Sequence, residues 1–231
     1  GRRGRLHQHT VAGYQRGRVI LAKEYFRRYD MRKMIPFEKA LAEESTKDRD
    51  LLGPLGLQRV HLVGLAVGAM IAQQVAVDYR GLVSALVLAD ARSELDFAGV
   101  QHNERRAESV ERGGMRLAVD VTIARAFAPD FAEQCPEALR SFRGEFLAND
   151  PHGYASVSRA LSGFHLTNRL SEIACPTLLL TGELDTLCPP SEAAAMQTRI
   201  PCAKLEILRG VGHFSAVEAP GEFADRTLAF F

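Results

Sequence analysis

Three residues of different chemistry stand at the ends of three apolar runs: Ala66, Asp185 and His213. The first run reads His61-Leu62-Val63-Gly64-Leu65-Ala66-Val67-Gly68-Ala69-Met70. This is the G-x-S-x-G strand-turn-helix elbow with alanine at the serine position. The two glycines suit a sharp turn with a helix packed closely behind a strand. The central residue is held in a strained conformation that presents its side chain to a cleft. A methyl group there has no atom with which to attack. The chain order of nucleophile position, acid and base is that of acyl-transfer chemistry. In that chemistry the nucleophile attacks a carbonyl, the histidine takes its proton and the aspartate orients the imidazole. The Val67 backbone N–H would be half of an oxyanion hole. With Ala66 in place, what remains is proton abstraction by a His213–Asp185 pair.

Each of these residues also has a plainer reading. Asp185 could cap the helix expected near Pro189, and His213 could be a core histidine. Their placement with the elbow, in order, favours the site. Cys188, three residues after Asp185, reads as a small apolar filler beside Pro189-Pro190. His165, in Gly163-Phe164-His165-Leu166, could face the cleft, although a structural histidine is the commoner case. His152, Tyr154, Arg112 and Arg116 read the same way, as surface or structural groups.

The elements that would position these residues alternate strand and helix. Residues 18–22 form a short strand, 37–53 a polar helix, 59–64 a buried strand, and 67–79 a helix with Met70, Ile71, Val75 and Ala76 inward. Residues 84–90 are another buried strand. After Cys175-Pro176 comes a strand at 177–181, then a helix near 190–199 and a strand at 204–208. A closing helix at about 217–231 turns Phe223, Leu228, Phe230 and Phe231 to the sheet. The pattern implies an α/β fold, a mainly parallel sheet covered by helices on both faces. Residues 93–170 break the rhythm. Gly113-Gly114, Pro129, Pro136 and Pro151 divide them into short helices. They read as a helical lid inserted into a core made of residues 1–92 and 171–231.

The chain resembles the α/β-hydrolase superfamily, and within it the 3-oxoadipate enol-lactonases. The stretches that carry the resemblance are Val60–Gly68, Ala69-Met70-Ile71-Ala72-Gln73, Leu86-Val87-Leu88-Ala89-Asp90-Ala91, Glu111–Met115, Asn149–Tyr154, Pro176–Asp185 with Pro189-Pro190, and Gly212-His213-Phe214. They span about residues 55–231. The resemblance implies an ester or lactone hydrolase with Ala66 at the nucleophile position, Asp185 as orienting acid and His213 as base. It also implies Val67 at the oxyanion hole and Leu65, Met70 and His165 against the substrate, with no metal or organic cofactor. Two departures stand out. One is Ala66, by engineering to trap substrate or by nature. The other is the N-terminal quarter, where the His-Gly loop and the Asp-x-Arg-Gly-x-Gly stretch are not found and Lys23–Arg28 follows the first strand. The first strands read as missing or divergent, and losing one oxyanion donor costs about 10²–10³ in rate. The expectation is therefore a chain inactive as an esterase. It would act as a hydrolase with its nucleophile removed, a binding or assembly pseudoenzyme, or a His/Asp general base.

Composition excludes other classes. Net charge is +1, with 46% hydrophobic and 25% charged residues, which advertises neither nucleic acid nor membrane. Residues 1–50 carry 13 Lys/Arg and 7 Asp/Glu, leaving 16 and 21 for the remainder, and such a basic stretch reads as a solvated face. The four cysteines, Cys135, Cys175, Cys188 and Cys202, lack zinc-site or disulfide-framework spacing, so a reducing, cytoplasmic setting is expected. No secretory signal or membrane-length apolar run is found. The expected partner is a small ester or lactone. An unpaired sheet edge leaves room for a homo-oligomer.

Overall fold

Period-two alternation within the strands decides which side chains face which layer. In the computed structural model, which describes residues 59–231 and the backbone of a strand at Val19–Leu21, five parallel strands pair in sequence order. They are β1 (Val19–Leu21), β2 (Val60–Leu65), β3 (Val83–Ala89), β4 (Thr177–Gly182) and β5 (Ala203–Leu208). Leu62, Leu86, Leu88 and Leu179 point into one core layer. Their neighbours Val63, Val87, Leu178 and Leu180 point into the other. Near-continuous apolar runs on β3 and β4 follow from burial on both faces.

Helix α1 (Val67–Asp78) covers the first layer with Met70, Ile71, Val75 and Ala76, as its helical spacing predicts. The last helix, α9 (Pro220–Phe230), covers the second with Phe223 and Phe230, joined by Phe231. The single closing helix expected from the sequence is two: α8 (Ser215–Glu218) precedes α9, and the chain breaks at Pro220 because proline has no N–H to continue the ladder. Leu228, expected inward, is exposed at 37%.

Between β3 and β4 come five α-helices, α2 (Phe97–Gly113), α3 (Arg116–Ala126), α4 (Phe131–Gln134), α5 (Pro136–Leu147) and α6 (Pro151–Leu161), and a 3-10 helix at Thr167–Glu172. The punctuation acts as expected. Gly114 ends α2 at φ 76°, and Pro136 and Pro151 each open a helix at its first turn. Asp96 and Asp150 cap α2 and α6 by accepting from Gly99 N and Gly153 N. After β4 comes α7 (Pro190–Gln197). The sequence-stretch expectations at residues 23–36 and 37–53, and the reading of the first strands as missing or divergent, lie outside the described residues. Among the described residues, no helix is long and apolar enough to cross a membrane.

Candidate active site

The site forms where β2, β3, β4 and β5 end on one edge of the sheet. This is where open parallel sheets place their ligands. Ala66 joins β2 to α1 with φ 52° and ψ −116°, a left-handed backbone that a non-glycine residue adopts at a cost. The turn is possible because nothing lies beyond Cα at Gly64: a Cβ there would sit 2.4 Å from the Gly68 carbonyl oxygen. Val67 is the first residue of α1, so its N–H has no acceptor within the helix. Leu65 is half-buried against the second core layer, and Met70 is 4% exposed inside the first. His165 is exposed, bridges Glu94 in an isolated antiparallel pair and lies 3.9 Å from its carboxylate.

Asp185 sits in a tight turn after β4. Its Oδ1 accepts from the backbone N–H groups of Leu187 and Cys188, both at 2.8 Å. Its Oδ2 is left to accept from Nδ1 of His213, also at 2.8 Å. His213 lies on the loop after β5, and its backbone N–H donates to the Ala126 carbonyl at the end of α3. Gly182 lets the two loops meet, since a Cβ there would lie 2.1 Å from the Gly212 carbonyl oxygen. Asp185 and His213, 28 residues apart in sequence, thus form one buried pair.

The same turn brings in a third group. Donor atoms of Asp185, Cys188 and His213 all lie within 4.8 Å of one another, and all three residues are buried. The expectation of a site without a nucleophilic atom is therefore corrected. In that expectation Ala66 held the nucleophile position and Cys188 was an apolar filler. The chain was then inactive as an esterase, a pseudoenzyme, or a general base alone. The structure instead contains an Asp-Cys-His cluster that resembles a catalytic triad, with its sulfur supplied by the β4 turn. The cause is local. The carboxylate of Asp185 captures the Cys188 N–H and folds the turn back, so that residues three apart in sequence join one buried cluster. An Asp-x-x-Cys spacing alone does not reveal such a fold-back. The small, buried character of the cysteine was the same signal that suggested a filler.

Burial pushes His213 toward the neutral form, but hydrogen bonds and charge from Asp185 and Cys188 outweigh it and hold the imidazole up at about 10. The ring stands edge-on to Phe214, with centroids 5.2 Å apart. Phe127 and Phe142 complete an aromatic wall around Phe214. Arg92, whose guanidinium donates to the Leu187 carbonyl and to Glu192, is held above its usual range. Desolvation opposes its charge, but the charges of Cys188 and Glu192 outweigh that. Sequence reasoning missed Arg92. Its only sequence signal is its position just past the β3 strand end.

Asp185, Cys188 and His213 are also the one group of converging metal-type donors among the described residues. Nδ1 of His213 is already committed to Asp185 as a hydrogen-bond donor.

Residues 21–226 match the pattern of the Alpha/beta hydrolase family. The chain is similar to 3-oxoadipate enol-lactonase 1 of Acinetobacter baylyi, 26% identical over 175 residues that make up 75% of this chain and 64% of that protein. It therefore spans less than two thirds of that relative's length. A solved hydrolase from Pseudomonas aeruginosa is 28% identical with a TM-score of 0.76, over 82% of this chain and 71% of that one. A thermophilic esterase from Thermogutta terrifontis is 28% identical with a TM-score of 0.73, over 78% and 67%. A parallel sheet flanked by helices, helices inserted after β3, and a matched pattern running through every strand end of the site lead to one conclusion: the chain belongs to the alpha/beta hydrolase family.

Proposed function

We propose that this protein hydrolyses small carboxylic esters or lactones, with Cys188 as nucleophile and the His213–Asp185 pair as its acid–base partner. The observation that carries the reading is the convergence of the three donor groups within 4.8 Å. The relatives named as an enol-lactonase and an esterase support ester or lactone as the substrate class. An imidazole held up at about 10 carries its proton at neutral pH. That suits thiol chemistry, in which the histidine takes the sulfur's proton before attack.

In this mechanism the Cys188 sulfur adds to the substrate carbonyl. A C–S bond forms, the C–O bond to the leaving oxygen breaks, and His213 gives that oxygen a proton. Water, deprotonated by His213, then cleaves the thioester and returns the thiol. Asp185 holds the ring in one tautomer throughout. The Val67 N–H, at the positive end of α1, is proposed to donate to the developing oxyanion. Leu65 and His165 are proposed to meet the substrate, under helices 93–170 acting as a lid. A reducing, cytoplasmic setting belongs to the same reading, because the thiol must remain free. The described cysteines are all unpaired.

The test is hydrolysis of p-nitrophenyl butyrate by the wild type, Cys188→Ala and His213→Ala, with folding checked by circular dichroism. Each variant should lose at least about 10³-fold in kcat, as removal of a nucleophile or its base does elsewhere. A folded Cys188→Ala variant with wild-type turnover removes the sulfur from the mechanism and overturns the reading.

A further inference from the structure

A second carboxylate lies inside the site and has no part in the chemistry above. Asp90 follows β3, is completely buried, and has φ 49°, a left-handed backbone for a residue with a Cβ. A buried acid on strained backbone is unfavourable on both counts, and such residues persist where surrounding structure holds them for a purpose.

Its contacts and those of its neighbour Ala89 reach the loops of the site. The neighbouring Ala89 carbonyl accepts from the N–H of Ala66 at the elbow, 2.9 Å away, and the Asp90 N–H donates to Leu180 of β4 at 2.8 Å. The carboxylate continues outward. Oδ1 accepts from the Gly182 N–H at 3.3 Å, three residues before Asp185. Oδ2 accepts from the hydroxyl of Ser215 at 2.6 Å and from its N–H at 3.1 Å, two residues after His213. Ser215 is itself fully buried. One side chain thus fastens the loop that carries the base to the strand that carries the acid.

We propose that Asp90 is a positioning residue: its carboxylate clamps Ser215 to the end of β4 and so holds His213 in hydrogen-bonding register with Asp185. The inference rests on the ester-hydrolysis reading for its kinetic consequence, but not for its structural one. The charged groups that face Asp90 are His213 from the loop after β5 and Asp185 from the turn after β4. Burial raises its carboxyl most and Asp185 adds to the rise. His213 and the Ser215 hydrogen bonds oppose it, and the group settles at about 7. The clamp is then strongest above that pH, where the ionised carboxylate accepts both Ser215 bonds.

The experiment uses the full chain and three variants: Asp90→Asn, Ser215→Ala and the double variant. Two readouts are taken. One is kcat and KM for p-nitrophenyl butyrate across pH. The other is the low-field proton resonance of His213 Nδ1–H, which reports the bond to Asp185 without any turnover. Asp90→Asn should lower kcat by about 10- to 100-fold, the scale of a small misplacement of reacting groups, with KM nearly unchanged. It should also erase the wild-type inflection near pH 7 and broaden the resonance. Ser215→Ala should lower kcat less, and the double variant no more than Asp90→Asn alone, because both act through one clamp. If Asp90→Asn does not fold, Ser215→Ala decides: wild-type kcat with a sharp resonance overturns the proposal. A loss in kcat with an unaltered pH profile and resonance also overturns it, since that marks a general structural role. A wild type with no turnover removes the hydrolase reading and leaves the resonance to judge the clamp.

Discussion

His213 and Asp90 both hold a proton more tightly in the fold than exposed side chains do. For His213 the native value of about 10 lies above the ordinary 6.5. Its stabilising contribution is therefore complete below about pH 6.5 and is lost as pH rises through about 10. For Asp90 the native value of about 7 lies above the ordinary 3.8. Between those values the folded chain keeps a proton that the unfolded chain has released, so stability falls as pH rises from about 4 to about 7. Urea denaturation over a pH series should accordingly show declining midpoints from acid to alkaline conditions. In Asp90→Asn the decline between about pH 4 and 7 should flatten, while the alkaline one persists. A flat wild-type profile across both windows contradicts this account. At the same scale, the elbow was readable residue by residue: Gly64 and Ala66 hold the contacts and the backbone their spacing predicts. The role of Cys188 was not readable, because a turn that folds back on its own aspartate is a three-dimensional event.

At the scale of elements, the end of α3 and the two loops that carry Asp185 and His213 are tied to one another. The Ala126 carbonyl accepts from His213 N–H, and the Arg125 carbonyl accepts from the Thr186 hydroxyl. Glu218, at the end of α8, receives Ala128 N–H at 2.8 Å and Gly212 N–H at 3.1 Å on one carboxylate oxygen. Cutting that tie leaves the amides of buried Gly212 and half-buried Ala128 without an acceptor. Glu218→Ala should therefore lower stability by about 1–3 kcal/mol in chemical denaturation. It should also speed protease cleavage around Pro129-Asp130, the link between α3 and α4. Unchanged stability would show that water replaces the carboxylate there. The helix starts at Pro136 and Pro151 and the stop at Gly114 were legible because they depend on φ and on a missing N–H, both local properties. The break at Pro220 obeys the same rule. The sequence pattern of apolar residues ran across it and hid it.

For the whole molecule, four unpaired cysteines define a testable inventory. Cys135 and Cys202 are exposed, Cys175 is half-buried and Cys188 is buried. Without prior reduction, a colorimetric thiol reagent should titrate two groups quickly in the native protein and all four in denaturant. Fewer than four in denaturant would reveal a covalent pairing. Buried apolar runs at β2, β3 and β4, alternating with helices, specified a two-sided parallel sheet, and the break in rhythm after residue 92 marked the inserted helices. The order of Ala66, Asp185 and His213 set the expected site at the strand ends. These features were determined by sequence because strand period, turn chemistry and connection order are properties of a chain read along its length. Whether the site holds a nucleophilic atom, and what keeps its parts in register, were decided only by tertiary structure. Cys188 enters the site only when its turn folds back on Asp185, and the hydrogen bonds of Asp90 to Gly182 and Ser215 exist only once β3, β4 and β5 lie side by side.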